Sequence, residues 1–332
     1  MEIKVNTAKK YSIHVEYHNF HKLRDYFNFT NSQVAFIVDA KLYDKVAKNY
    51  SEYLIFPLNL DNEKKDFTSY QKIIHLLKQH NFNRDDLIVN VGGGTISDLG
   101  AFVASTYKRG ISYINVPTTT LAQIDAGVGG KNGLDVFAVK NLVGTISQPL
   151  GVVIDFDFLD NLPIRQYHNG LYEALKMALL FEPRLIELIE DNYLTENIKE
   201  ITTSLLFHKV KIVEKDETDK NERKVLNFGH TVGHCLEDDN LLHGEAVMHG
   251  MLTMIDNDDI INRLKNLATR WNLPILPLLD YNHISTLLLN DKKASAEYFS
   301  CIVLKDYKKW SFERLTLDDI IKRIQHYEQS NR

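Results

Sequence analysis

The sequence predicts an α/β half, residues 1–160, followed by a mainly α-helical half, residues 161–332. Three observations carry this. Up to about residue 155 short β-rich runs alternate with helical ones. After Pro163 apolar residues recur at threes and fours while β-rich runs nearly vanish. No internal repeat or low-complexity segment blurs the division. Alternation of strand and helix implies a largely parallel sheet covered on both faces.

In chain order, Ala35-Phe36-Ile37-Val38 reads as a strand ending at Asp39, and Tyr53-Leu54-Ile55-Phe56 as one ending at Pro57. Phe67 to His80 carries Tyr70, Ile73, Ile74 and Leu77 at helical spacing. Leu87-Ile88-Val89-Asn90-Val91 is a strand that stops at a glycine triplet, Ile96 to Ala104 a helix, and Ile111 to Val116 a strand closed by Pro117. Beyond the division, Leu171 to Ile189, Ile198 to Val213, Thr231 to Leu236 and Ala246 to Ile255 are expected to be helical. Phe299 to Leu304 reads as a late strand and Leu317 to Tyr327 as a terminal helix.

Composition narrows the function classes. With 44% hydrophobic and 25% charged residues in 332, the chain can bury a core, which excludes disorder, collagen and coiled coil. Lys plus Arg is 39 against 44 Asp plus Glu, a formal charge of −5, so no general footprint for nucleic acid or an anionic membrane surface exists. An anionic ligand must be held by a local cluster of cations. Two cysteines, Cys235 and Cys301, are too few for a disulfide framework or a four-thiolate zinc site and fit a reducing compartment. Without an apolar segment after Met1-Glu2-Ile3-Lys4 or a stretch long enough to span a bilayer, the expected location is the cytoplasm.

Gly92-Gly93-Gly94 lies between a strand and a helix, where unhindered amides and a helix N-terminus can receive a diphosphate, and Asp98 follows on that helix. The spacing is not GxGxxG, and alone the triplet is equally a tight turn. Pro117-Thr118-Thr119-Thr120 adds hydroxyls and amides at the same carboxyl edge of the sheet, the edge where open α/β sheets bind ligands. Next comes Asp125-Ala126-Gly127-Val128-Gly129-Gly130-Lys131, then Lys140-Asn141. Its glycines permit close backbone approach and its lysines can face a phosphate; the plainer reading is a flexible surface loop.

His230 and His234 stand four apart, on one face of a helix, and with His243 place three histidines within 14 residues. Glu173 is a candidate charge-balancing ligand because it interrupts the apolar run Leu171 to Leu180, with Lys176 one turn on along the same face. Taken singly, Glu173 and Lys176 read as an i,i+3 ion pair and the histidines as hydrogen-bonded core residues.

Together, GGGTISDLGAF (92–102), KRG (108–110), PTTTLAQIDAGVGGK (117–131), KNLVGTISQP (140–149), YEALK (172–176), DETDKNERKVLNFGHTVGH (216–234), HGEAV (243–247) and a late Asp291-Lys292-Lys293 resemble the 3-dehydroquinate synthase family, in family order and near family spacing. The resemblance implies an α/β NAD-binding N-terminal domain, a helical metal-binding C-terminal domain and a site in the cleft between them. It implies that Glu173, His230 and His243 ligate one divalent metal, zinc or cobalt, and that His234 stands beside them without ligating. It puts Asp39, Lys65, Gly92, Gly93, Gly94, Asp98, Thr118, Thr119, Asp125, Lys131, Lys140 and Asn141 at or beside NAD-contacting positions. Asp125, Lys131, Lys176, Lys209, Arg223, Asn227, His234 and Lys293 fall on substrate-contacting ones. Arg109 matches an arginine that the family lends across a homodimer interface.

The implied activity turns 3-deoxy-D-arabino-heptulosonate 7-phosphate into 3-dehydroquinate and phosphate. The C5 carbinol is oxidised, the C6 proton becomes acidic, phosphate leaves by β-elimination, hydride returns, and an aldol step closes the ring, so NAD is recycled. Lys131, Asn227, His234, Lys293 and a partner's Arg109 would hold phosphate, and Lys209 with Arg223 the carboxylate. Lys209 and Arg223 otherwise read as solvated charge. The chain departs from the pattern at Asn62 (for Glu), Asn132 (for Thr), Asp135 (for Asn) and Val139 (for Gly), of which Asp135 adds a carboxylate near expected phosphates. Competing readings are another sugar phosphate cyclase, of the 2-deoxy-scyllo-inosose or 2-epi-5-epi-valiolone synthase type, a glycerol dehydrogenase-like oxidoreductase, and a non-catalytic NAD-binding paralogue.

Overall fold

Strands with apolar side chains on both faces must be covered on both. In the computed structural model of this chain, which describes residues 1–330 apart from 31, 61–63, 138, 192–196, 239, 291–293 and 296–297, two units form. One comprises Met1–Leu162 and Ile198–Thr218, the other Pro163–Asn197 and Asp219–Arg332.

The first unit carries strands β1 (Glu2–Val5), β2 (Tyr11–Glu16), β3 (Val34–Asp39), β4 (Leu54–Leu58), β5 (Leu87–Gly92), β6 (Ser112–Pro117), β7 (Lys131–Val136), β8 (Val139–Ile146) and β9 (Gly151–Asp155). Its first helices are α1 (Leu23–Tyr26), α2 (Tyr43–Tyr50), α3 (Phe67–Gln79) and α4 (Gly94–Thr106). Seven strands form a sheet in the order β1-β2-β9-β6-β5-β3-β4, parallel except at the β1–β2 edge. Alternation along β3 sorts the core. Val34, Phe36 and Val38 pack with Val46, Tyr50, Val89 and Val91 on one face. Ala35 and Ile37 pack with Ile88, Ile73, Leu77, Leu99 and Val103 on the other.

Two expectations change here. β4 does not stop at Pro57, which pairs with Val38 inside the strand; β4 is the edge of the sheet, where a residue without an N–H is tolerated. The stretch after Gly130 is a β-hairpin, β7 paired antiparallel with β8, and not a loop.

The second unit opens with α5 (Ile164–Phe181) and α6 (Arg184–Glu190), so the stretch expected as continuous to Ile189 breaks at Pro183, which cannot extend a helix from α5. The next helix, α7 (Ile198–Lys215), belongs to the first unit. Its Lys199 pairs with Glu16 of β2, and its Glu214 accepts from the backbone amide of Asn6 at 2.7 Å. α8 (His230–Leu236), α9 (His243–Thr253), α10 (Asp258–Arg270), α11 (Tyr281–Asn290) and α12 (Leu317–Gln329) complete the helices. They are joined by an antiparallel sheet of β10 (Ala294–Ser295), β11 (Tyr298–Asp306) and β12 (Lys309–Leu315), of which only β11 was legible. Among the described residues no helix is long and apolar enough to cross a membrane.

Candidate functional site

Helix α5 is buried along most of its length, and two of its buried side chains are charged: Glu173 is 0% and Lys176 1% exposed. A lone carboxylate there would be prohibitively costly, so the surroundings must supply positive charge. Lys176, one turn on, pairs with Glu173 Oε2. Two imidazoles approach the other oxygen, with His230 Nε2 at 3.6 Å and His243 Nε2 at 3.5 Å from Oε1. The three candidate ligand atoms lie within 4.8 Å of one another. One carboxylate and two imidazole nitrogens are a donor set that could hold a zinc-type ion.

Electrostatics agree with that use. Burial, then the Lys176 ammonium and the neighbouring imidazoles, push His230 well below the ordinary histidine range, which keeps the ring neutral as a ligand must be. At His243 burial acts in the same direction, yet the bonds to Glu173 and Glu237 prevail and carry it up to about 9, which marks the place as one that favours a positive charge.

Close helix packing brings these residues together. A Cβ on Gly250 of α9 would lie 1.9 Å from the Gly229 carbonyl oxygen at the start of α8, so only glycine permits this crossing. Gly244 meets α5 as closely, since a Cβ there would lie 1.9 Å from the Asn169 carbonyl oxygen, and its N–H donates to Asn169 Oδ1 at 2.6 Å. The start of α9, and His243 with it, is thereby fixed one turn before Glu173. Arg165 adds a bidentate bond to Glu245 of α9, at 2.7 and 2.8 Å.

His234 is exposed, its ring centroid 5.2 Å from that of His230 and 5.9 Å from that of His243. Arg223 and Asn227 lie on the 3₁₀ turn Glu222–Asn227 that leads into α8, and Arg223 is only 3% exposed, so the solvated-charge reading fails for it. Lys293 lies outside the described residues. The sequence reading missed Asn169, one turn before Glu173, and Glu237, three residues past His234; the helical spacing of each was its available signal.

In the first unit, β3, β5 and β6 lie side by side and bring Asp39, Gly92 and Thr118 to one carboxyl edge. Gly92 is opposite Pro117, and the Thr118 amide donates to the Gly92 carbonyl at 3.0 Å. α4 then begins at Gly94 with Gly93 as its cap, which has no side chain to take a first-turn amide. Asp39 accepts from the Lys41 amide at 3.0 Å, and Thr119 Oγ1 from the Ala122 amide at 3.2 Å.

Three expected cofactor-side residues, Lys65, Asp98 and Asn141, meet at the Lys65 ammonium, and Asp135 joins them. Lys65 donates to Asp98 at 2.7 Å and to Asn141 Oδ1 at 2.6 Å, with Asp135 3.7 Å away. Burial works against the Lys65 ammonium, but Asp98 and Asp135 hold its pKa above the ordinary lysine value. Asp135 also accepts from the Asn141 amide at 2.8 Å, where Asn141 has φ +51°. The extra carboxylate therefore has a cation and an amide to answer it. Asn132 is likewise satisfied, accepting from Thr145 at 2.6 Å. Val139 is the exposed first residue of β8, and Asn62 lies outside the described residues.

Lys131 and Lys140 are exposed on the hairpin. Lys209 is 3% exposed on α7 and donates to both the carboxylate and the carbonyl of Asp125, so it is not surface charge. Arg109 is exposed, at a turn where Lys108 and Arg109 have φ of +49° and +68°.

Known proteins match the chain in two consecutive stretches. Residues 55–169 match the model for the N-terminal part of 3-dehydroquinate synthase and residues 170–294 that for its C-terminal part. The 3-dehydroquinate synthase of Clostridium tetani is 32% identical over 352 aligned positions, covering 98% of this chain and 94% of that protein. That of Picrophilus torridus is 38% identical over 264, covering 75% and 78%. A structure of 2-deoxy-scyllo-inosose synthase complexed with carbaglucose-6-phosphate, NAD⁺ and Co²⁺ superimposes with a TM-score of 0.87 at 22% identity, covering 98% of this chain and 100% of that one. A 2-epi-5-epi-valiolone synthase from Streptomyces hygroscopicus with NAD⁺ and Zn²⁺ bound gives 0.85 at 20%, covering 99% and 100%. These two share the fold. The consecutive matches to both domains, together with relatives above 30% identity along most of the sequence, place the chain in the 3-dehydroquinate synthase family.

Proposed function

We propose that this chain is a 3-dehydroquinate synthase, a carbon–oxygen lyase of the shikimate route to aromatic amino acids. It would convert 3-deoxy-D-arabino-heptulosonate 7-phosphate to 3-dehydroquinate and phosphate. The observation that carries the reading is the meeting of buried Glu173 with His230 and His243 in a chain of this family. When bound, NAD⁺ takes up and returns a hydride at the substrate C5, and the divalent metal, zinc or cobalt, polarises the oxygen there.

The chain's own residues do the rest. Glu173, His230 and His243 hold the metal, and Lys176 keeps the buried carboxylate compensated. The edge built from Asp39, Gly92 to Gly94 and Thr118 to Thr119, with the Lys65, Asp98 and Asn141 cluster, Asp125 and Lys140, receives NAD. Lys131, Asn227, His234 and Lys293 take the substrate phosphate, and cations there stabilise the leaving group as its charge grows. Arg109 reaches the same group across a homodimer. Arg223 and Lys209 take the carboxylate, where the guanidinium fork matches two oxygens. With two cysteines in 332 residues, the enzyme would work in the cytoplasm.

Related cyclases act on sugar phosphates without a carboxylate. Steady-state phosphate release from the heptulosonate phosphate, glucose 6-phosphate and sedoheptulose 7-phosphate tests the assignment. Fastest turnover of the heptulosonate phosphate supports it, and faster turnover of either other sugar assigns the chain to another cyclase.

A further inference from the structure

We infer that Glu237 is a positioning residue for the metal: it fixes the orientation of His243 so that Nε2 faces Glu173. The inference rests on the metal centre proposed above. An imidazole that gives one nitrogen to a metal must carry its proton on the other, and whatever accepts that proton sets the ring's angle. For His230 the acceptor is the Phe228 carbonyl, 3.1 Å from Nδ1, which leaves Nε2 turned to Glu173. For His243 the groups in reach are both carboxylates. Nε2 is 3.5 Å from Glu173 Oε1, and Nδ1 is 3.4 Å from Glu237 Oε2.

Glu237 is well placed for this role. It follows the last residue of α8, and its own amide donates to the Gly233 carbonyl at 3.1 Å, so it is anchored to the helix that carries His230. Its side chain is 9% exposed, against 28% for His243. His243 is the first residue of α9. Glu237 thus ties the two histidine-bearing helices together at the ligand.

Glu237, His234 and His243 could also be read as a metal-ligand group of their own, since their donor atoms lie within 4.8 Å of one another. The two groupings compete for His243, because a neutral imidazole coordinates through one nitrogen. Glu173 decides between them: a carboxylate with no exposure needs the cation more than one that keeps 9% of its side chain in contact with water.

The test is Zn²⁺ affinity of metal-stripped full-length protein, measured by competition with a chromophoric chelator, together with the visible spectrum of the Co²⁺ form. Glu237→Ala is expected to weaken Zn²⁺ about 10- to 100-fold. Glu237→Gln, whose amide oxygen still accepts from Nδ1–H, should recover most of that loss. Both should keep the Co²⁺ band positions of the wild type, because the ligand set is unchanged. Affinity of Glu237→Ala within about twofold of wild type overturns the inference, as does a shifted Co²⁺ spectrum, which would make Glu237 a ligand. Glu173→Gln separates the two levels of the argument. Wild type that binds Zn²⁺ no better than Glu173→Gln removes the metal centre and the positioning role together. Strong loss in Glu173→Gln with none in Glu237→Ala removes the positioning role alone.

Discussion

Glu173 and Lys176 form an ion pair one helical turn apart on α5, with both side chains essentially withdrawn from water. Removing one partner of such a pair leaves the other uncompensated, at about 3–5 kcal/mol. A divalent cation on Glu173 would compensate the carboxylate in place of the lysine. Lys176→Met should therefore destabilise the metal-stripped protein by about that amount and the Zn²⁺-saturated protein by clearly less. Urea unfolding with and without Zn²⁺ measures both; equal losses in the two states contradict the arrangement.

Gly250 tests the packing that assembles the histidines. In Gly250→Ala the new methyl meets the Gly229 carbonyl oxygen and the Gly233 amide, at 1.9 and 2.8 Å, and neither is a flexible side chain that can move aside. α8 and α9 must separate, at a cost of about 1–3 kcal/mol, and His230 moves away from His243. The expected result is a lower unfolding free energy and at least about tenfold weaker Zn²⁺ binding. A stable variant with wild-type Zn²⁺ affinity would show that the crossing does not set the site.

His249 predicts an acid sensitivity. Its Nε2–H donates to the Pro274 carbonyl at 3.0 Å and Nδ1 accepts from the Tyr327 hydroxyl at 2.7 Å, so the neutral ring is fully satisfied. Burial depresses its pKa to about 4, with Glu245 and the Pro274 carbonyl opposing. The unfolded chain, near 6.5, binds the proton first, so stability present above pH 6.5 is lost as pH falls toward about 4, to the extent of about 3 kcal/mol. In His249→Gln this contribution disappears, and the unfolding free energies at pH 7 and pH 4.5 should lie closer together than in wild type. An identical loss in both proteins excludes His249 as its source.

Arg223 separates the cyclases by charge. If it binds the substrate carboxylate, Arg223→Ala loses about 2–5 kcal/mol of transition-state binding, on the order of 30-fold to several thousand-fold in kcat/KM. An analogue without the carboxylate should lose little further. Turnover of the normal substrate within about threefold of wild type removes the carboxylate argument.

Much of this site was legible because helical spacing records which side chains share a face. Glu173 and Lys176 stood out as charges within an apolar run, and His230 and His234 as an i,i+4 pair. The bond from His243 to Glu237 was not legible, because it crosses an irregular turn between two helices and no periodicity spans it. Periodicity also gave α7 its helical form but not its unit; that depends on Lys199, Lys209 and Glu214 finding partners in the α/β unit. The β7–β8 hairpin was hidden by its glycines and lysines, which favour a loop reading until Gly133 and Gly144 are seen paired across it. Asp135 looked ill-suited until the fold brought Lys65 and the Asn141 amide to it.

The most direct measurement is the ratio of phosphate released to NAD⁺ supplied, with the heptulosonate phosphate in large excess over cofactor. If the hydride leaves and returns within one turnover, phosphate and the cyclic product should accumulate far beyond the NAD⁺ present, with no lasting rise in NADH. One NADH per turnover, or oxidation that stalls without phosphate release once the NAD⁺ is consumed, would contradict the account.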